Sequence, residues 1–225
     1  MNDDPSPALL RRWTTLWGRS DHDVVAAGEN LLRRYAEPHR RYHDTHHLAD
    51  VLHSLDRLAG HAAPPEPVVL AAYFHDAVYD PRADDNEERS ADLAAGALPR
   101  LCAPRAVTAT VTRLVRLTAT HHPDPDDAQG GMLCDADLAV LGSEPERYRA
   151  YAAAVREEYA HVDDPGFREG RAEVLRRLRG TQLFSTREGR RRWQQPAERN
   201  IATELQELEA VSAPGTDATP PPSDG

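Results

Sequence analysis

Apolar residues recur at steps of three and four along nearly the whole chain, and no alternating apolar–polar run exceeds four residues. "PALLRRWTTLW" (7–17) and "DVVAAGENLLRRY" (23–35) carry this spacing and read as amphipathic helices. Asp44 or Thr45 supplies an N-cap for a helix over 45–60, whose core stripe is Leu48, Val51, Leu52, Leu55 and Leu58 and which stops near Gly60. "PEPVVLAAYFHDAVYD" (65–80) opens with proline in its first turn and closes at Asp80-Pro81. It is apolar nearly all round, which predicts a central, buried helix. Further helices are expected over 86–98, 104–120, 131–142, 145–162, 165–179 and 196–210, with Pro, Gly and Asp clusters at most joints. The last stretch, "SAPGTDATPPPSDG" (212–225), cannot bury a core and predicts a disordered tail. The expectation is one all-α domain over 8–211, a compact helical bundle.

Charge narrows the function more than overall composition does. A net charge of -10 argues against general nucleic-acid binding, which needs a basic face to displace counterions. All 27 basic residues are arginine, so a Walker A phosphate loop, a pyridoxal Schiff base and a lysine nucleophile are excluded. No apolar run is long enough to span a membrane, and "MNDDPSP" at the start is too acidic and polar for a signal peptide. Cys102 and Cys134 make neither a disulfide framework nor a CxxC metal site. These features predict a cytoplasmic protein with no membrane partner.

Candidate chemistry begins in the apolar helix, where His75 and Asp76 stand side by side. An unpaired buried carboxylate costs several kcal/mol, and either a hydrogen-bonded core histidine or a divalent cation would relieve it. "RRYHDTHHLADVL" (40–52) places His47 at the edge of its helix's core stripe, His46 and His53 on the opposite side, and His43 just ahead of the helix. In "GMLCDADLAVLG" (131–142), Asp137 falls inside the stripe through Cys134, Leu138 and Leu141, while Asp135 falls near its rim. Each feature alone reads equally well as a capped or paired polar group. Together they put ligand-type residues on the buried faces of three separate helices. Whether Asp137 or Asp135 is the ligand is left open.

The order His47, His75-Asp76, Asp137 resembles the H…HD…D pattern of the HD superfamily of metal-dependent phosphohydrolases. Within it the chain looks closer to a bacterial group of predicted HD phosphohydrolases, through "AAYFHDAVYD", "DNEERSADLA", "LTATHH", "LCDADLAVLG", "VREEYAHVDD" and "ERNIATEL". The phrase at 40–52 is also similar to the YHNxxHAxDV motif of cyclic-nucleotide phosphodiesterases, with Asp44 in place of the Asn, which leaves the orientation of His43 open.

The resemblance implies a helical bundle around a divalent metal held by His47, His75, Asp76 and Asp137. Mn²⁺, Fe²⁺, Co²⁺, Ni²⁺, Zn²⁺ or Mg²⁺ would suit such ligands. It implies hydrolysis of a small phosphorylated substrate, nucleotides included, by metal-activated water, with Asp76 able to accept a proton and His43 as general acid. Glu88 is carried as a further catalytic candidate, and Arg40, His122 and Arg156 as substrate contacts. The alternatives are a catalytically silent nucleotide-binding or regulatory module, or a metal that only staples the bundle. No GYP-type extension and no glutamine-bearing purine segment is present, so neither cyclic-di-GMP nor a cyclic nucleotide is favoured as substrate.

Overall fold

Asp44 accepts hydrogen bonds from the backbone N–H of His46 and His47, starting the helix that carries His47 where the capping signal predicts. The computed structural model describes residues 4–212; of the tail expected over 212–225, Ser212 ends the last helix and the rest lies outside the described residues. The helices are α1 (Ser6–Trp17), α2 (His22–Tyr35), α3 (Thr45–Ala59), α4 (Glu66–Phe74), α5 (Asn86–Ala97), α6 (Arg105–Leu117), α7 (Ala128–Asp137), α8 (Pro145–Glu158), α9 (Asp164–Arg179), α10 (Arg187–Gly189) and α11 (Gln195–Ser212). Short 3₁₀ segments follow α5 and α7, over Leu98–Leu101 and Leu138–Gly142, and a π-helical turn, Arg190–Gln194, joins α10 to α11. No strand occurs among the described residues, so the fold is all-α.

The helices expected over 65–80, 131–142 and 145–162 end early, the last at Glu158. α4 stops at Phe74 instead of running to Asp80, because groups from elsewhere replace the intrahelical bonds of residues 76–78. Tyr35 Oη accepts from Asp76 N, Arg40 donates to the carbonyls of Asp76 and Ala77, and Ser90 Oγ accepts from Val78 N. The helix expected over 131–142 divides at Asp137, where the 3₁₀ segment tightens the chain. The helical stretch from Arg187 to Gln194 has no strong apolar period, and the sequence reading leaves it out.

Burial follows the apolar stripes into two clusters. The larger is built from α1 to α7 around Trp13, Leu48, Leu52, Leu70, Phe74 and Leu114. α4 is its central helix, buried from Val68 to Phe74 as its all-round apolarity predicts. The smaller cluster joins Leu141, Tyr148, Leu175, Phe184, Trp193 and Ile201, and Leu58 of α3 packs against both. Fully burying one such leucine stabilises by about 1.5–3 kcal/mol. The ends of α4 and α7 and the start of α3 meet near the junction of the two clusters, and the ligand-type residues stand there. No helix among the described residues is long and apolar enough to cross a membrane.

Candidate metal centre

Three segments far apart in sequence bring their polar ends together. His47 comes from the first turn of α3, His75 and Asp76 from the end of α4, and Asp137 from the last residue of α7. The Nε2 atoms of His47 and His75 are 3.1 Å apart. Asp76 Oδ2 lies 3.4 Å from the first and 3.1 Å from the second, and Asp137 Oδ1 lies 3.2 and 3.6 Å from them. His47, His75 and Asp137 offer donor atoms that all lie within 4.8 Å of one another and could hold a metal ion.

The donor chemistry fits a cation. His75 Nδ1 donates to the Ala72 carbonyl at 2.8 Å, which leaves Nε2 to carry the lone pair of the neutral ring. Two imidazole nitrogens that close, flanked by two carboxylates, need positive charge between them. In the metal-free protein protons supply it. Burial pulls the His47 pKa down, but Asp137 and Asp76 more than offset that and raise it to about 9. His75 is likewise pushed well above the usual histidine range, against its burial, by Asp76. Burial opposes ionisation of Asp76 and Asp137, yet the imidazoles hold both carboxyls well below the usual range.

His43 stands beside this group, its ring centroid 5.6 Å from that of His47. Its orientation comes from Glu158, a residue the sequence reading passed over within "VREEYAHV". Glu158 Oε1 accepts the backbone N–H groups of Arg41, Tyr42 and His43, each at 2.9 Å. Glu158 Oε2 accepts from His43 Nδ1 at 2.7 Å and from the Tyr79 hydroxyl at 2.9 Å. His43 Nε2 has no hydrogen-bond partner among the described residues, and the ring is stacked on Tyr79 at 4.2 Å. Asp44, which replaces the Asn of the similar motif, caps α3 instead.

Other expected contacts fall elsewhere. Arg40 is not free to clamp a phosphate: its side chain is 0% exposed and lies between the rings of Tyr35 and Tyr79. Its fork serves the His43 carbonyl ahead of α3 and the carbonyls of Asp76 and Ala77, which α4's early end leaves without intrahelical donors. Glu88 is exposed and pairs with Arg116 at 2.6 Å on the surface, which corrects its placement at the centre. Arg156 is also redirected, donating to the carbonyls of Tyr159 and Val162 and to Asp164, so it ties α8 to α9. His122 is exposed and turned back on the Thr120 carbonyl, whereas its neighbour His121 donates from Nε2 to Asp137 Oδ2 at 2.7 Å. A φ of 54° at His121 makes that reach, and the doublet in "LTATHH" was the only signal for it.

The two aspartates of "CDAD" also separate. Asp135 is not at a rim but fully buried, where it accepts from Ser185 N, Thr186 N and Thr186 Oγ1. Burial pushes its carboxyl up, against those three donors. Asp137, not Asp135, faces the two imidazoles. Cys102 and Cys134 are both free thiols.

Comparison with protein-family models, with curated proteins and with solved structures finds no match to this chain.

Proposed function

We propose that the chain is a metal-dependent phosphohydrolase of the HD type. The observation that carries this is the meeting of His47, His75, Asp76 and Asp137 from three separate segments, with His43 held beside them by Glu158. His47 and His75 through Nε2, and Asp76 and Asp137 through one oxygen each, would hold a divalent ion. Bound there, the ion would polarise a phosphoryl oxygen and acidify water. The protein's own part is to place acid and base around the phosphorus. Asp76, in partial contact with solvent as Asp137 also is, would accept the proton of an attacking water. His43, its Nδ1 held on Glu158, would act as general acid through Nε2 at the leaving oxygen. Such a general acid contributes on the order of 10²–10⁴-fold.

The test is metal content by mass spectrometry on purified full-length protein beside His75→Ala and Asp76→Ala, with phosphate release measured over a panel of phosphoesters and nucleotides. Near-stoichiometric metal in wild type, lost in both variants together with turnover, is the expected result. Metal without turnover on any substrate would leave a binding module in place of an enzyme. A wild-type protein that takes up no metal even from Mn²⁺ solution would overturn the reading.

A further inference from the structure

A second cavity opens beside His43, between α8 and α9, with a volume of about 480 Å³. That is within the usual range for small-molecule sites, roughly 300–1,000 Å³. Its walls are Tyr151 and Val155 of α8, Tyr159 at the end of α8, and Phe167 and Val174 of α9, with His43 as the titratable side chain that also belongs to the candidate centre. Arg171 is the one arginine in the lining, and its charge is engaged: Nε and Nη2 bond both oxygens of Glu204 at 2.8 and 3.0 Å, and Nη1 donates to the Tyr151 hydroxyl. Both partners are nearly buried, at 9% and 11% exposure. The cavity therefore offers aromatic and aliphatic surface and no free charge beyond His43.

Two details indicate a pocket left open, not a packing fault. Val174, on its rim, is a large hydrophobic residue 39% exposed, the one so exposed among the described residues. Gly170 lies on the same face of α9, four residues before it, and a Cβ added there would meet nothing within 4 Å. A glycine in mid-helix is unfavourable by propensity, and here its effect is to keep the wall flat.

We infer that this cavity seats the leaving group, and that the substrate is a phosphoester whose alcohol carries a flat, uncharged aromatic ring. This rests on the phosphohydrolase reading. His43 connects the two places: its Nδ1 is fixed on Glu158, and its side chain lines the cavity. A group protonated by His43 leaves into a space lined by Tyr151, Tyr159 and Phe167, which favour a ring over a polyol or a second phosphate. In the step, a water oxygen bonds to phosphorus as the bond from phosphorus to the alcohol oxygen breaks. The leaving oxygen takes the His43 proton, and the proton released by water restores the balance. The net change is ester plus water to alcohol plus phosphate.

The experiment compares 1-naphthylmethyl phosphate with ethyl phosphate, whose alcohols have similar acidity, on the metal-loaded full chain. It also measures binding of 1-naphthalenemethanol, which needs no turnover, by calorimetry. Wild type should prefer the naphthylmethyl ester by about 100-fold or more in kcat/KM. Gly170→Leu should collapse that ratio by at least tenfold and abolish alcohol binding, with Gly170→Ala intermediate and metal content equal to wild type in both. Equal kcat/KM on the two esters, or alcohol binding unchanged in Gly170→Leu, overturns the inference. If neither ester turns over but alcohol binding is lost in Gly170→Leu, the phosphohydrolase reading and the leaving-group role fall together, while the cavity stands as a ring-binding site.

Discussion

Glu158 gathers five donors on two oxygens: three backbone N–H groups, the His43 ring and the Tyr79 hydroxyl. Burial opposes its ionisation, but the His43 ring and the N–H groups of Tyr42 and His43 outweigh that and hold its pKa at about 2, against an ordinary 4.5. A depressed carboxyl contributes stability that is fully present above the unfolded value and is lost as pH falls through the folded one. Glu158 should therefore contribute on the order of 3 kcal/mol above pH 4.5, disappearing between 4.5 and about 2. Urea unfolding of wild type against Glu158→Gln should show a stability difference that shrinks across that window. A constant difference would count against the carboxylate clamp. This residue is illegible in sequence because its partners lie 79 to 117 positions away, and nothing in "REEY" separates a buried glutamate from the exposed one before it.

At the scale of the element, the end of a helix decides what its last residues do. The apolar run predicts a helix through Asp80, yet backbone groups past Phe74 are taken by Arg40, Tyr35 and Ser90. His75 keeps helical backbone with its N–H on the Ala71 carbonyl, the chain leaves the helix after it, and His75 and Asp76 both reach the His47 ring. Asp135 and Asp137 both lie in α7, and their two-residue spacing, about 200° around a helix, directs Asp135 at the 185–186 turn and Asp137 at the imidazoles. The two aspartates should differ in how their substitution changes the response to metal. Asp135→Ala strands three donors and should cost about 2–4 kcal/mol in denaturant unfolding, with metal uptake reduced only as far as folding is. Asp137→Asn loses the pairing with His47, His75 and His121, so it should also cost stability without metal, and it should lose the rise in melting temperature expected from a divalent ion. Metal-induced stabilisation surviving in Asp137→Asn would remove Asp137 from the ligand set.

For the molecule as a whole, a metal at the centre would couple to protons there and to the packing of α3, α4 and α7. A divalent ion at 100 times its Kd should stabilise the fold by about 2.7 kcal/mol, or roughly 5–10 °C in Tm for a chain of this size. Without metal, the raised His47 pKa works in the other direction. Its contribution is complete below pH 6.5 and is lost as pH rises through about 9. Metal binding needs the neutral imidazole, so affinity should strengthen over the same interval. Melting scans from pH 6 to 9.5 with EDTA and with Mn²⁺ should thus diverge as pH rises. Parallel curves would argue that protons and metal do not compete for His47.

The sequence by itself determined the all-α class, the helices with strong apolar period, the cap at Asp44 and the central burial of α4, since these depend on local periodicity and capping chemistry. It also singled out His47, His75, Asp76 and Asp137, since a ligand-type side chain on an apolar face violates the local pattern. Only the tertiary structure decided between Asp135 and Asp137, between His121 and His122, and whether Arg40 meets solvent or the carbonyls left by α4. Neighbours in sequence carry the same chemistry, and what divides them is which distant helix end each one reaches. That reach is set by packing between elements, which no local period encodes.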